Sequence, residues 1–264
     1  MQIPAQGPVV VGVDGTAADP AAVRFAAREA RSRGRALTVV HAFAWAEAGA
    51  TDYAPARRAA SRAVEEAVSI AQRSTPGVDA RGQLLDGPPG RVLLRLARSS
   101  TLLVLGGNGL AEVVARAWCP VAVARSDRPP GGPVLAAVDG SPLSALVLRF
   151  AIEQARRQGG PVHVVHAGER SGRPVLDEVL GPEPPAGVRP QLLAGSPAAA
   201  LVRASRRAGL IVLGPRGTNA RGRLGSVAAE VLRRGGCPAV FVHGPPGFRK
   251  PGNTVPELLP LAHT

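Results

Sequence analysis

Four residues near the carboxyl end of the chain have the types and spacing to hold an anion. Gly214, Gly217, Gly225 and Ser226 lie in GPRGTNARGRLGS (residues 214–226), which runs straight into the helical pattern VAAEVLRRGG. Glycines let backbone N–H groups close around an anion without a Cβ in the way, and a following helix adds the positive end of its dipole. Ser226 at the mouth of that helix can cap it or donate its hydroxyl to a phosphate oxygen. Arg216, Arg221 and Arg223 add positive charge to the same stretch. Further back, Asp139 follows an apolar strand in VLAAVDGS, where Asp-Gly makes a tight turn, caps the next helix or meets a ligand.

The elements that must position these residues occur twice. VVVGVDGTAADPAAVRFAAREARSRGRALTVVHAF (9–43) returns as VLAAVDGSPLSALVLRFAIEQARRQGGPVHVVHAG (134–168). Each copy reads as strand, Asp-Gly turn, Ala-rich helix, Gly-bearing turn and strand, which is a βαβ unit. Asp14 stands opposite Asp139 and His41 opposite His166. The strand ending near Gly106 matches the one ending near Gly214, and Cys119-Pro120 matches Cys237-Pro238. The spacings between these landmarks differ. The second copy has lost most of the helix seen as ARRAASRAVEEAVSIAQRS (56–74), leaving only PVLDEVL (174–180) opposite it. Conversely, the first copy lacks the ten residues that give the second copy its glycine loop, because LAEVVARAWCP follows Gly106 and Gly109 at once. The chain is expected to form two α/β domains, 8–127 and 133–244, followed by a flexible Pro-rich tail, 245–264.

Composition narrows the function classes. The 264 residues suit two compact domains, and the formal charge is +13. That charge is nearly all arginine, dispersed over helix faces, loops and helix ends, and aromatic residues make up only 3% of the chain. With few platforms for stacking bases, the charge reads as a solvated surface rather than a dedicated nucleic-acid site. The apolar runs are short strands and the start, MQIPAQGP, does not look like a leader, so no membrane association and a cytoplasmic location are expected. The two cysteines precede Pro in equivalent places and read as small buried hydrophobes. His41 and His166 read as rim residues without catalytic partners, and Trp45, Tyr53 and Trp118 as isolated packing residues.

VDGSPLSALVLRFAIEQA, VHVVHA, IVLGPRG and LGSVAAEVLRRGGCPAVFVH together resemble a universal stress protein domain of the ATP-binding branch. The resemblance covers both copies and implies two tandem Rossmann-like domains of the adenine nucleotide alpha hydrolase-like type. Each would be an open, mostly parallel five-stranded α/β sheet with helices on both faces. The family's phosphate signature is Gly, two residues, Gly, nine residues, Gly, then Ser or Thr; here the longer spacer has seven. Carried onto this chain, the resemblance implies that Asp139 meets the base and ribose side of ATP and that Ala167 and Leu213 line the adenine slot. Gly214, Gly217, Gly225, Ser226 and Val227 would hold the phosphates, with Arg216 beside them and Mg²⁺ as the accompanying ion. The first domain, without the third glycine and its hydroxyl partner, is expected to be structural or regulatory.

Three functions follow as alternatives: a nucleotide-binding stress or regulatory module, a slow ATPase, and a scaffold of the same fold that binds no nucleotide. The final strands VAVAR (121–125) and AVFVH (239–243) would be sheet edges. The two domains are therefore expected to pair through them about a pseudo-twofold axis, with a homodimer as the further assembly. Val240→Pro is expected to disrupt that pairing.

Overall fold

A computed structural model describes residues 7–17, 19–45, 52–107, 111–124, 131–168, 172–182, 184–216 and 223–244. The tail from 245, Gly109, Gly217 and Arg221 lie outside the described residues.

The first domain runs β1 (Val9–Val13), α1 (Asp19–Ser32), β2 (Leu37–Phe43), α2 (Tyr53–Ser74), β3 (Ala80–Asp86), α3 (Pro89–Leu96), β4 (Leu102–Leu105), α4 (Ala111–Arg116) and β5 (Val121–Val123). The second repeats the series as β6 (Val134–Ala137), α5 (Leu143–Gln158), β7 (Val162–Ala167), α6 (Arg173–Leu180), β8 (Val188–Leu193), α7 (Pro197–Ser205), β9 (Leu210–Leu213), α8 (Ser226–Arg234) and β10 (Ala239–Phe241). The shortened helix of the second copy is α6, with 8 residues against 22 in α2.

Ten strands form one sheet in the order β3-β2-β1-β4-β5-β10-β9-β6-β7-β8. Each half is parallel throughout, and the halves meet in the antiparallel pairing of β5 with β10. Parallel strands covered on both faces are apolar on both, which is why the inner strands β1, β4, β5, β6, β9 and β10 read as apolar runs, whereas the edge strands β3 (ARGQLLD) and β8 (VRPQLL) are polar and largely exposed. Alternate residues feed two cores: one gathers Val9, Val11, Leu102 and Val104 with residues of α1, α2, α5 and α6, the other Val10, Leu103 and Leu105 with residues of α3, α4, α7 and α8. Cys119 is buried in the second core as expected, whereas Cys237 is half-buried and packs against it; burial pushes both thiols up to about 12.

The domain junction is nearly twofold. Val121, Ala122 and Val123 pair with Phe241, Val240 and Ala239, so the axis passes through the equivalent residues Ala122 and Val240. The same axis brings Glu29 of α1 against its equivalent, Gln154 of α5. Gln154 Nε2 donates to Glu29 Oε1, and Arg33 and Arg157 donate to Gln154 Oε1 at 3.0 and 3.1 Å. Two carboxylates meeting here would repel, and the amide turns that clash into a hydrogen bond. Arg33 also forms a 2.8 Å ion pair with Glu29, with both side chains under a tenth exposed. Some of the arginine charge is therefore interfacial rather than solvated.

The register also corrects the choice of Val240→Pro. Pro238 O accepts from Ile211 N and Val242 N donates to Leu213 O. Because backbone groups alternate sides along a strand, the Val240 N–H points to β9 within its own domain, while those of Ala239 and Phe241 point to β5.

The aromatic residues are less isolated than their spacing implies. The end of β2 and the start of α2 converge, so Tyr53 stands edge-on to Phe43 and Trp45 at centroid distances of 5.6 and 5.2 Å. Arg57 lies over the Phe43 and Tyr53 rings, and Arg98 over Trp118.

Candidate functional site

In the second domain the chain proceeds from β6 to β7 and β8 on one side, then returns with β9 on the other side of β6. That reversal opens a crevice beyond the carboxyl ends of β6 and β9, the position at which open α/β sheets bind ligands. A cleft of about 490 Å³ lies there, within the size range of small-molecule sites.

Asp139, Ala167, Leu213, Gly214, Arg216, Gly225, Ser226 and Val227 all line this cleft. The sequence places them in four separate segments; the sheet brings them together. Asp139 sits in the turn after β6, where Gly140 takes φ +76°, a value only glycine adopts freely. The Asp139 Oδ1 accepts the Ser141 N–H at 3.0 Å and the Ser144 hydroxyl at 3.3 Å. The carboxylate therefore holds its own turn, and the residue stands on the cleft wall. His166 Nδ1 is 2.9 Å from the Val138 carbonyl, a rim contact that fixes the end of β7.

At the other wall, a Cβ on Gly214 would lie 3.1 Å from Arg216 O and 3.3 Å from Leu143 Cδ1, closer than most side chains tolerate. Gly225 N donates to Pro215 O at 2.9 Å, closing the base of the loop. Gly225 is the N-cap of α8 and Ser226 its first helical residue, with no side-chain hydrogen bond at the cap. Ser226 therefore does not cap α8. The first N–H groups of a helix have no intrahelical acceptor, and here they belong to Ser226, Val227 and Ala228, all on the cleft wall. Among the described residues of that wall, Arg216 is the one arginine or lysine. Arg223 is outside the lining; its carbonyl accepts from Arg216 Nε at 3.3 Å.

The equivalent crevice of the first domain, lined by Asp14, Leu105 and Gly106, is about 230 Å³, less than half as large. A wider hollow of about 880 Å³ adjoins it against α2. Two carboxylates meet where the crevices join. Asp19 stands where the second domain has Ser144, and its Oδ2 accepts the N–H groups of Asp14 at 3.1 Å and Gly15 at 2.7 Å. This substitution escaped the sequence reading, although aligning the copies puts an acid opposite a serine.

Burial pushes the Asp19 carboxyl up to about 6; the Gly15 N–H opposes the shift and the Asp14 charge adds to it. Its folded value lies above the unfolded 3.8, so folding takes up a proton between about pH 4 and 6. Asp19 therefore contributes most to stability below pH 4, and that contribution is lost as pH rises through 6. Thermal melts should show the stability of wild type relative to Asp19→Asn falling by about 1–2 kcal/mol from pH 4 to 7, after allowance for solvent screening. Parallel pH profiles for the two proteins would contradict this.

A doubly wound parallel sheet with a ligand-sized crevice at its switch point, built twice in one chain, defines a tandem Rossmann-like α/β protein. The model of the universal stress protein family matches residues 7–125 and 132–189, and the chain belongs to that family. The second matched segment ends before β9 and the glycine loop. A universal stress protein of Mycobacterium tuberculosis is 29% identical over 304 residues, covering 90% of this chain and 95% of its own. Other curated relatives, 30% identical over 190 residues, are spanned over 63% of their own length. The crystal structure of a universal stress protein from Archaeoglobus fulgidus shares the fold across both domains, with a TM-score of 0.74 at 19% identity, covering 90% of this chain and 98% of that one. Another from Archaeoglobus fulgidus was solved in complex with dAMP; it is 27% identical, covers 47% of this chain and 99% of that one, and has a TM-score of 0.40. Among the described residues no helix is long and apolar enough to cross a membrane.

Proposed function

We propose that the chain is a cytoplasmic regulatory module of the stress response whose second domain binds ATP. The carrying observation is the convergence of four distant segments on one 490 Å³ cleft at the sheet's switch point. Asp139 would take the ribose side, Ala167 and Leu213 the adenine, and Gly214, Gly225, Ser226 and Val227 the phosphates. Arg216 supplies the charge, and Gly217 belongs to the same loop. The Gly214 contacts support a cradle that a side chain would fill. Among the described residues no group of three metal-ligating side chains occurs, so a magnesium ion would ride on the phosphates rather than in a protein cage.

Regulation is favoured over turnover because Asp139, the carboxylate of the cleft, is occupied by two hydrogen bonds within its own turn. Homodimerisation would have to use another surface, since β5 and β10 cover each other.

Calorimetric titration of ligand-stripped protein with Mg-ATP should give one site per chain. Two sites would overturn the assignment to the second domain alone. No binding would leave the scaffold reading, in which the surfaces rather than the cleft carry the function.

A further inference from the structure

The last turn of a helix leaves carbonyl oxygens without intrahelical partners at the negative end of its dipole, which attracts donors and cations. In the first domain α4 ends this way, and two side chains of the second domain donate to its last turn. Arg216 Nη2 donates to the Ala115 carbonyl, and His243 Nε2 donates to the Val114 carbonyl at 2.7 Å. Val114 is fully buried and His243 only 7% exposed, so this end of the contact is dry. Burial pushes the His243 ring down to about 4, leaving it a neutral donor near pH 7. The aligned positions of the first copy carry Asn108 and Arg125 instead, so the sequence does not repeat this donor pair in the opposite direction.

Arg216 also lines the cleft of its own domain. A guanidinium has five N–H donors in a rigid planar fork. The bonds from Nε to Arg223 O and from Nη2 to Ala115 O use two of them. The end of the fork, Nη1 beside Nη2, is the other edge that can take a phosphate in a bidentate bond.

We propose that the first domain completes the anion site of the second: α4, through the Ala115 carbonyl, positions Arg216 so that its other edge meets the ligand's phosphates. The inference rests on the reading of the cleft as a nucleotide site. Arg216 is then a shared rivet, and phosphate binding and α4 docking strengthen each other by the same factor. This gives the first domain a task that needs no nucleotide of its own, and it explains why the short connection into α4 is compatible with function.

The test combines calorimetry with hydrogen exchange read on the peptide 111–119, using wild type, Arg216→Ala and Arg216→Lys. Both variants should bind ATP about tenfold more weakly and bind adenosine as wild type does. A lysine ammonium keeps the charge but cannot present two edges. Saturating ATP should slow exchange across 111–119 in wild type and not in Arg216→Ala. Without nucleotide, the same peptide should exchange faster in Arg216→Ala than in wild type. Equal ATP affinity in the variants, equal weakening for adenosine, or exchange in wild type that ignores ATP would overturn the proposal. Wild type that binds no ATP would remove the nucleotide reading itself. The exchange comparison without nucleotide reads the Arg216 contact alone, and no difference there sinks the inference independently.

Discussion

Gly225→Val should reduce ATP binding at least about 100-fold while leaving the fold in place. Gly225 has φ −66° and ψ 154°, a backbone that valine adopts without strain. The substitution therefore acts through space rather than through the chain. A branched side chain at the N-cap of α8 would stand on the cleft wall between Pro215, whose carbonyl receives the Gly225 N–H, and the first N–H groups of the helix. Filling a preformed cradle costs about 1–3 kcal/mol before any lost hydrogen bonds are counted. Valine is also a poorer N-cap than glycine, which predicts a loss of about 1 kcal/mol in stability. Circular dichroism should thus give an unchanged spectrum and a slightly lower Tm, while calorimetry gives no measurable heat. Undiminished affinity would put the ligand somewhere other than this loop.

Ala239→Pro should separate the two domains without dissolving either half of the sheet. The Ala239 N–H faces β5, opposite Val123, so proline removes a bond of the junction and leaves the β9 side of the strand its own ladder. An orphaned buried carbonyl and the clash of the ring together cost about 3 kcal/mol. The junction is only three residue pairs long. Small-angle scattering should show a larger radius of gyration, with secondary structure retained. Val240→Pro should behave differently: its N–H faces β9, so the second domain itself should melt earlier. An unchanged scattering profile for Ala239→Pro would mean that the α1–α5 contact around Glu29 and Gln154 holds the domains without the strands.

Much of this architecture could be read from the residues. Strands buried on both faces must be apolar throughout, and a repeat of such strands around an Asp-Gly turn leaves little freedom of fold. The shortening of the helix opposite α2 and the absence of the ten-residue stretch from the first copy were visible as changed spacings. The glycine loop announced itself by its spacing, and its described glycines, Gly214 and Gly225, line one cleft. Other features were invisible because they depend on which groups meet across space. The role of Ser226 followed from a helix that begins one residue earlier than a capping serine requires. The aromatic group of Phe43, Trp45 and Tyr53 forms only because a strand end and a helix start converge.

The sequence by itself determined that there are two copies of one doubly wound unit, that the second keeps a glycine-rich loop after its fourth strand, and that the terminal strands seek a partner. Those properties reside in local pattern and in the period of burial, which a linear chain records. Only the tertiary structure decided that Glu29 meets Gln154 on the axis, that Asp19 is held as a buried acid, and that Arg216 spans from the cleft to a carbonyl of the other domain. Each depends on a contact between groups distant in the chain, or on the burial of a group by such contacts, and no local preference encodes which donor finds which acceptor.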